Sequence, residues 1–168
     1  MDLPVRKHVR LKEYDYSQNG AYFVTICAAG RACIFSDITH SVGPDALIGP
    51  TVRLTAIGLV VERYIQSTPQ AYPTVRVEHY VIMPNHIHLL LTLEGGPMGA
   101  SGPTLSRVIK ALKGLVAREI GQAVWQDNYH EHIIRDDNDF LLHWQYIDQN
   151  PARWGEDEYF THSAGGAP

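Results

Sequence analysis

Only three residues, Met83-Pro84-Asn85, separate two strand-like runs, Val75–Ile82 and His86–Leu93. Strands joined so closely cannot be parallel, because a parallel pair needs a crossover of about a dozen residues or more. The chain therefore has to contain an antiparallel hairpin, and its other elements must be arranged around it. The second run narrows the choice further. Ile87, Leu89, Leu91 and Leu93 share one parity, and His86 and His88 share the other. Alternate strand residues point to opposite faces. One face of this strand asks for an apolar core, while the other presents two imidazoles side by side.

The remaining elements follow from periodicity and turn residues. Tyr22–Ala28 is rich in β-branched and aromatic residues and reads as a strand. Arg31–Phe35 reads as a short pairing segment, 39–50 as a loop or hairpin tip, and Thr51–Leu54 as another short strand. Thr55 can cap a helix over Ala56–Ser67, with Pro69 and Pro73 expected to stop it. Thr104 opens a second helix to about Ile120, and Leu105, Val108, Ile109, Leu112 and Val116 share its apolar face. The stretch 124–134 is irregular and ends in a short edge strand at His132–Ile134. One of Asp136, Asp137 or Asn138 caps a third helix over Asp139–Asn150, which Pro151 ends. Antiparallel strands with segregated helices predict a single α+β domain over 1–168. The expected layout is a ferredoxin-like or RRM-like antiparallel sheet with helices packed on it. The Gly- and Pro-rich stretch 94–103 reads as a mobile loop, and the C-terminus as an acidic tail.

Several function classes fall away. No run of about 18 apolar residues is present, so no membrane span is expected. The charged first dozen residues do not resemble a secretory signal. Two cysteines, Cys27 and Cys33, cannot form a disulfide framework or a four-cysteine zinc site, and a reduced cytoplasmic setting is the default. There is no phosphate-binding P-loop, no dinucleotide glycine fingerprint and no nucleophile elbow. The net charge of −4 argues weakly against nucleic acid, but it is unevenly spread. Residues 1–126 hold 12 Lys/Arg against 9 Asp/Glu, a net of +3, and residues 127–168 hold 2 against 9, a net of −7. Basic side chains cluster twice, at Arg6, Lys7, Arg10 and Lys12 and then at Arg107, Lys110, Lys113 and Arg118. They are candidate DNA contacts, or simply solvated faces.

Three groups of residues could carry chemistry. His86 and His88 form a natural metal half-site, or a pair of hydrogen-bonded strand histidines. Asp139, His143, Tyr146 and Asn150 are spaced four, three and four apart and share one helical stripe, whereas Phe140, Trp144 and Ile147 form the expected core contact. Asn150 could supply a third metal ligand, with Tyr146 beside it. In the segment 125–132, His130 and His132 again have strand spacing, and Tyr129 is a rival nucleophile.

Tyr80-Val-Ile-Met-Pro-Asn-His-Ile-His-Leu-Leu resembles the HUH motif of the Y1 transposase superfamily, which includes insertion-sequence 200-like and REP-associated tyrosine transposases. Gly20–Cys27 resembles that family's first strand, and Val124–Arg135 and Gln145-Tyr-Ile-Asp-Gln-Asn-Pro151 resemble blocks of its REP-associated branch. The resemblance implies that His86 and His88 hold a divalent metal, Mg²⁺ or Mn²⁺, with Asn150 as third ligand. It implies Tyr146 as the nucleophile and disfavours Tyr129. His132 and His143 are candidates for an additional place in the site. The implied activity is metal-dependent single-strand DNA cleavage and strand transfer through a covalent 5′-phosphotyrosine. The implied partner is single-stranded or hairpin DNA, with the protein a monomer or a homodimer. Two alternatives stay open: a domesticated module that grips single strands without cutting, and a metal hydrolase built on His86, His88 and His132.

Overall fold

The computed structural model describes residues 20–40, 49–95 and 102–160. The basic group Arg6 to Lys12, most of the 94–103 loop and the last eight residues lie outside them. Among the described residues, six strands and three α-helices follow in chain order: β1 (Gly20–Cys27), β2 (Ser36–Thr39), β3 (Thr51–Leu54), α1 (Ala56–Ala71), β4 (Val75–Ile82), β5 (His86–Leu93), α2 (Leu105–Ile120), β6 (His130–Ile133) and α3 (Asp137–Gln149). The main sheet has the order β4-β5-β1-β6, with every neighbouring pair antiparallel. Setting aside the small β2–β3 hairpin, the chain runs β-α-β-β-α-β. This is the ferredoxin-like arrangement expected above. Among the described residues, no helix is long and apolar enough to cross a membrane.

The two faces of the sheet are buried by different layers. Tyr22, Val24 and Ile26 of β1 and Ile87, Leu89, Leu91 and Leu93 of β5 pack with Val61 and Ile65 of α1 and Leu105, Val108, Ile109, Leu112 and Val116 of α2. That is the hydrophobic core. α3 lies over the other face, against β4 and β5. Each helix begins on a side-chain cap. Thr55 accepts from Gly58 N–H (3.0 Å), Thr104 from Arg107 N–H (3.2 Å) and Asp136 from Asp139 N–H (2.8 Å). Gly121 closes α2 with φ +79°, where any other residue would be strained. At Gly58 a Cβ would sit 2.0 Å from Phe35 O, so this turn of α1 can approach the chain only as glycine.

Some boundaries differ from the sequence expectation. Arg31–Phe35 is not a strand: residues Ala29–Arg31 form a short 3-10 turn, and the pairing segment is Ser36–Thr39. Its Ser36 hydroxyl donates to Ile82 O (2.9 Å) and ties the small hairpin to β4. Pro69 does not end α1. It removes one hydrogen bond, and the last turn still closes through Tyr72 N–H to Thr68 O (2.9 Å). The edge strand starts at His130 rather than His132. In α3 the expected core contact is reduced to Ile147 alone, because Phe140 and Trp144 are only half-buried. Trp144 instead stacks on His79, with ring centroids 4.3 Å apart.

A bulge places that histidine. The β4–β5 register shifts between Val77 and His79, so Val77 lies opposite Leu91 but His79 lies opposite Leu90. One extra residue reverses which face the rest of the strand presents. His79 therefore joins the face under α3, where its Nε2 also meets Asp148 Oδ1 at 2.6 Å.

Candidate functional site

His86 and His88 emerge from β5 on the face under α3, and both are essentially fully buried, 0% and 1% exposed. Each ring is oriented by a partner at Nδ1. His86 Nδ1 donates to Asn85 Oδ1 (2.9 Å), and His88 Nδ1 is hydrogen-bonded to the Thr25 hydroxyl (2.8 Å) across the β1–β5 pair. Asn85 is itself fixed, because its Nδ2 donates to Tyr159 O (2.7 Å) and Arg31 O (3.3 Å). This leaves both Nε2 atoms facing each other at 3.1 Å. Two ring nitrogens at that separation must share a proton or a cation. Burial favours the neutral rings: it lowers the pKa of His86 from 6.5 to about 4, against the opposing pull of Asp157, and lowers that of His88 well below its usual value.

α3 brings the rest. Tyr146 lies over His88 with ring centroids 5.3 Å apart and meets Phe23 edge-on at 5.8 Å. Its ring is 39% exposed. Asn150, at the end of α3, is buried, and its side chain lies within hydrogen-bond reach of both His86 and Tyr146. Its Oδ1 is a buried acceptor without a hydrogen bond of normal geometry. Pro151–Glu156 then turns as a 3-10 helix and folds the chain back over the sheet. That turn brings in Asp157, whose Oδ2 is 3.9 Å from His86 Nε2 and accepts from Asn150 Nδ2 (3.2 Å). The Tyr159 ring packs on His86 at 4.6 Å. Burial and the negative charge of Asp157 raise the Tyr146 pKa above 10.

A cleft of about 290 Å³ opens over this arrangement, with Phe23, Thr25, His88, His143, Tyr146 and Tyr159 in its wall. The donor set beneath it fits a divalent cation. The two imidazole Nε2 atoms, a buried amide oxygen without a hydrogen bond of normal geometry, and a carboxylate converge. The ligand atoms of His86, His88 and Asp157 lie within 4.8 Å of one another. For bonds of ~2.1 Å, ligand atoms sit roughly 3 Å apart when adjacent and 4.2 Å apart when opposite. The separations of 3.1 and 3.9 Å fall in that range.

His132 and His143 belong to a different cluster. His132 Nε2 meets both Asp139 oxygens (2.9 and 3.0 Å), His143 Nδ1 meets Asp139 Oδ1 (3.0 Å), and the two rings stack at 4.6 Å. With the His79–Asp148 pair, this cluster fastens α3 to both edges of the sheet. Among the described residues, the ligand atom of His132 groups with those of Asp139 and His143, and the third side chain grouped with His86 and His88 is Asp157. Tyr129 packs against the core beside Ser106 (3.3 Å between hydroxyls), on the layer away from the cleft. Arg107 and Lys110 are exposed on α2, the layer opposite the cleft, and Lys113 Nζ is already bonded to the carbonyls of Gln126 (2.6 Å) and Asp127 (3.0 Å).

Sequence reasoning missed Asn85, Thr25 and Asp157. Asn85 and Thr25 had a readable signal, since one adjoins His86 and the other sits mid-strand among apolar residues. Asp157 had none, because only the turn after Pro151 brings it to the site.

No protein-family profile matches the chain. An uncharacterized protein of Haemophilus influenzae is 32% identical over 177 residues, covering 93% of each chain. A second Haemophilus influenzae protein, provisionally named a REP-associated tyrosine transposase, is 27% identical over 163 residues, 84% of this chain and 75% of that one. Among solved structures, a REP-associated tyrosine transposase bound to a REP hairpin superposes with a TM-score of 0.61 at 23% identity, covering 88% of this chain and 77% of that one. At that identity the likeness is one of fold. The chain belongs to the family of the 32%-identical Haemophilus influenzae protein, and it has the fold of the REP-associated tyrosine transposase that it superposes on.

Proposed function

We propose that this protein cleaves and rejoins single-stranded DNA, with Tyr146 as nucleophile and a divalent cation, Mg²⁺ or Mn²⁺, held by His86, His88 and Asn150. The observation that carries the reading is the convergence under one cleft of an accessible tyrosine, two imidazole Nε2 atoms 3.1 Å apart and a buried amide oxygen without a hydrogen bond of normal geometry. Nothing in passive strand binding requires that set. Bound there, the cation would polarise a non-bridging phosphate oxygen and offset its charge.

The chain's own residues do the rest. Asn85 Oδ1, which can only accept, holds His86 in the tautomer that presents Nε2, and the Thr25 hydroxyl orients the His88 ring with its Nε2 towards His86. α3, fastened at both ends, holds Tyr146 over His88. The Tyr146 oxygen attacks the phosphorus and loses its proton, the P–O3′ bond breaks, and a 3′-hydroxyl departs. The phosphotyrosine conserves the energy of the broken bond, so a second 3′-hydroxyl can reverse the exchange without a nucleotide cofactor. Phe23 and Tyr159 in the cleft wall are suited to stack on an unpaired base beside the scissile phosphate.

The substrate on this reading is a hairpin with a single-stranded flank, and the structural neighbour is bound to a REP hairpin. Arg107 and Lys110 would meet DNA only away from the cleavage point, on the other layer of the sheet. Lys113 is the weakest of the proposed contacts, because its ammonium is spent on the Gln126 and Asp127 carbonyls.

The test uses labelled single-stranded hairpin oligonucleotides with and without Mn²⁺, resolved on a denaturing gel. The expected result is a metal-dependent covalent band that vanishes in Tyr146→Phe. Binding without any covalent band, under any divalent metal, would hand the case to a non-catalytic single-strand-binding module.

A further inference from the structure

The ligand set of the proposed centre, two imidazoles and one amide, is uncharged, yet a carboxylate is buried directly beside it. The Asp157 side chain is 2% exposed. Its hydrogen bonds run to uncharged donors: Oδ1 accepts from Tyr159 N–H (2.8 Å) and Oδ2 from Asn150 Nδ2 (3.2 Å). A buried carboxylate is costly unless it is paired or coordinates a metal. The nearest ring nitrogen to it is His86 Nε2, 3.9 Å from Oδ2.

We propose that Asp157 is a fourth ligand, the anionic one, so that a single divalent cation joins β5, the end of α3 and the turn that follows it. The proposal rests on the metal-assisted reading of the His86/His88 site, though not on strand transfer. The geometry supports it from three sides. Asp157 Oδ2 lies 3.9 Å from His86 Nε2, and the three ligand atoms of His86, His88 and Asp157 lie within 4.8 Å of one another. Asn150 is bonded to Asp157 through Nδ2, which turns its unbonded Oδ1 to the other side, within reach of His86. The chain between the two residues is a 3-10 turn begun by Pro151, a short stiff connection that returns Asp157 to the sheet. A hard anionic oxygen added to two imidazoles makes a mixed nitrogen–oxygen set suited to Mn²⁺ and brings Mg²⁺ within range, where imidazole alone favours later transition metals.

Mn²⁺ titrated calorimetrically into the DNA-free protein tests this. The native chain should take up one Mn²⁺. Asp157→Asn keeps the size of the side chain and removes its charge, and should weaken that affinity at least tenfold. His86→Ala should abolish it. Circular dichroism in chelator checks that the variants fold. Hydrogen exchange of the native protein supplies an arm that needs no variant: Mn²⁺ should protect the backbone of 151–160. An Asp157→Asn protein that binds Mn²⁺ within twofold of native, or native exchange over 151–160 that Mn²⁺ leaves unchanged, overturns this proposal alone. A native protein that takes up no Mn²⁺ overturns it together with the metal-assisted reading.

Discussion

Ile87 and His88 are neighbours in β5, and neither is more than 1% exposed. They point to opposite faces and are buried for opposite reasons. Ile87 sits among the aliphatic side chains of α1 and α2, and each contact there lowers the free energy of the fold. His88 sits under α3 among Thr25, His86, Phe23 and Tyr146, where burial works against its charged form. The first face explains why the chain folds. The second contains groups that a chain selected for stability alone would replace with leucine. Equal burial thus separates into a face that holds the protein together and one that its chemistry retains.

Substitutions should pull the two faces apart. The largest effect is expected at Tyr146→Phe, with a loss of covalent adduct of roughly a thousandfold or more. Its melting temperature should stay near native, because the ring is already 39% exposed. A destabilised Tyr146→Phe protein would blur the contrast. Ile87→Ala should show the reverse: a loss of about 2–5 kcal/mol in denaturant unfolding, with Mn²⁺ affinity of the folded fraction little changed.

The pH dependence of the metal-free protein comes next. The imidazole pKa values are depressed in the folded state, so at low pH the unfolded chain binds more protons than the folded one. Stability should be at its plateau above about pH 6.5 and fall as pH drops from 6.5 towards about 4, by an order of a few kcal/mol. Guanidinium melts at several pH values in chelator measure this, and His86→Leu should flatten the slope. A slope unchanged in that variant would place the titration elsewhere. The smallest effect is expected at Thr25→Val, which removes the partner of His88 Nδ1. Mn²⁺ affinity should drop about 10- to 100-fold, while the melt shifts by about 1 kcal/mol.

Much of this division was legible before any coordinates. The parity of β5 separated His86 and His88 from Ile87, Leu89, Leu91 and Leu93, and the three-residue connection forced the hairpin. The stripe Asp139, His143, Tyr146 and Asn150 was readable from helical spacing, and Tyr146 and Asn150 do face the histidine pair. That the same stripe serves two clusters was not readable, because spacing does not say that Asp139 and His143 meet the sheet at its β6 edge. The bulge after Val77 did leave a mark that a simple alternating reading of 75–82 passes over, because the core-facing residues change parity from Val75 and Val77 to Tyr80 and Ile82. Asp157 was hidden for a third reason. A 3-10 turn has no long periodicity, so its residues cannot be assigned a face without knowing where the turn lands.

The central claim is that Tyr146 is the nucleophile beside a metal on the polar face. It is tested most directly by trapping the native protein on a hairpin oligonucleotide with Mn²⁺, digesting it, and locating the nucleotide by mass spectrometry. The account predicts the adduct on the peptide that contains Tyr146, dependent on divalent metal and absent in chelator. An adduct on Tyr129, or one formed equally well in chelator, would contradict it.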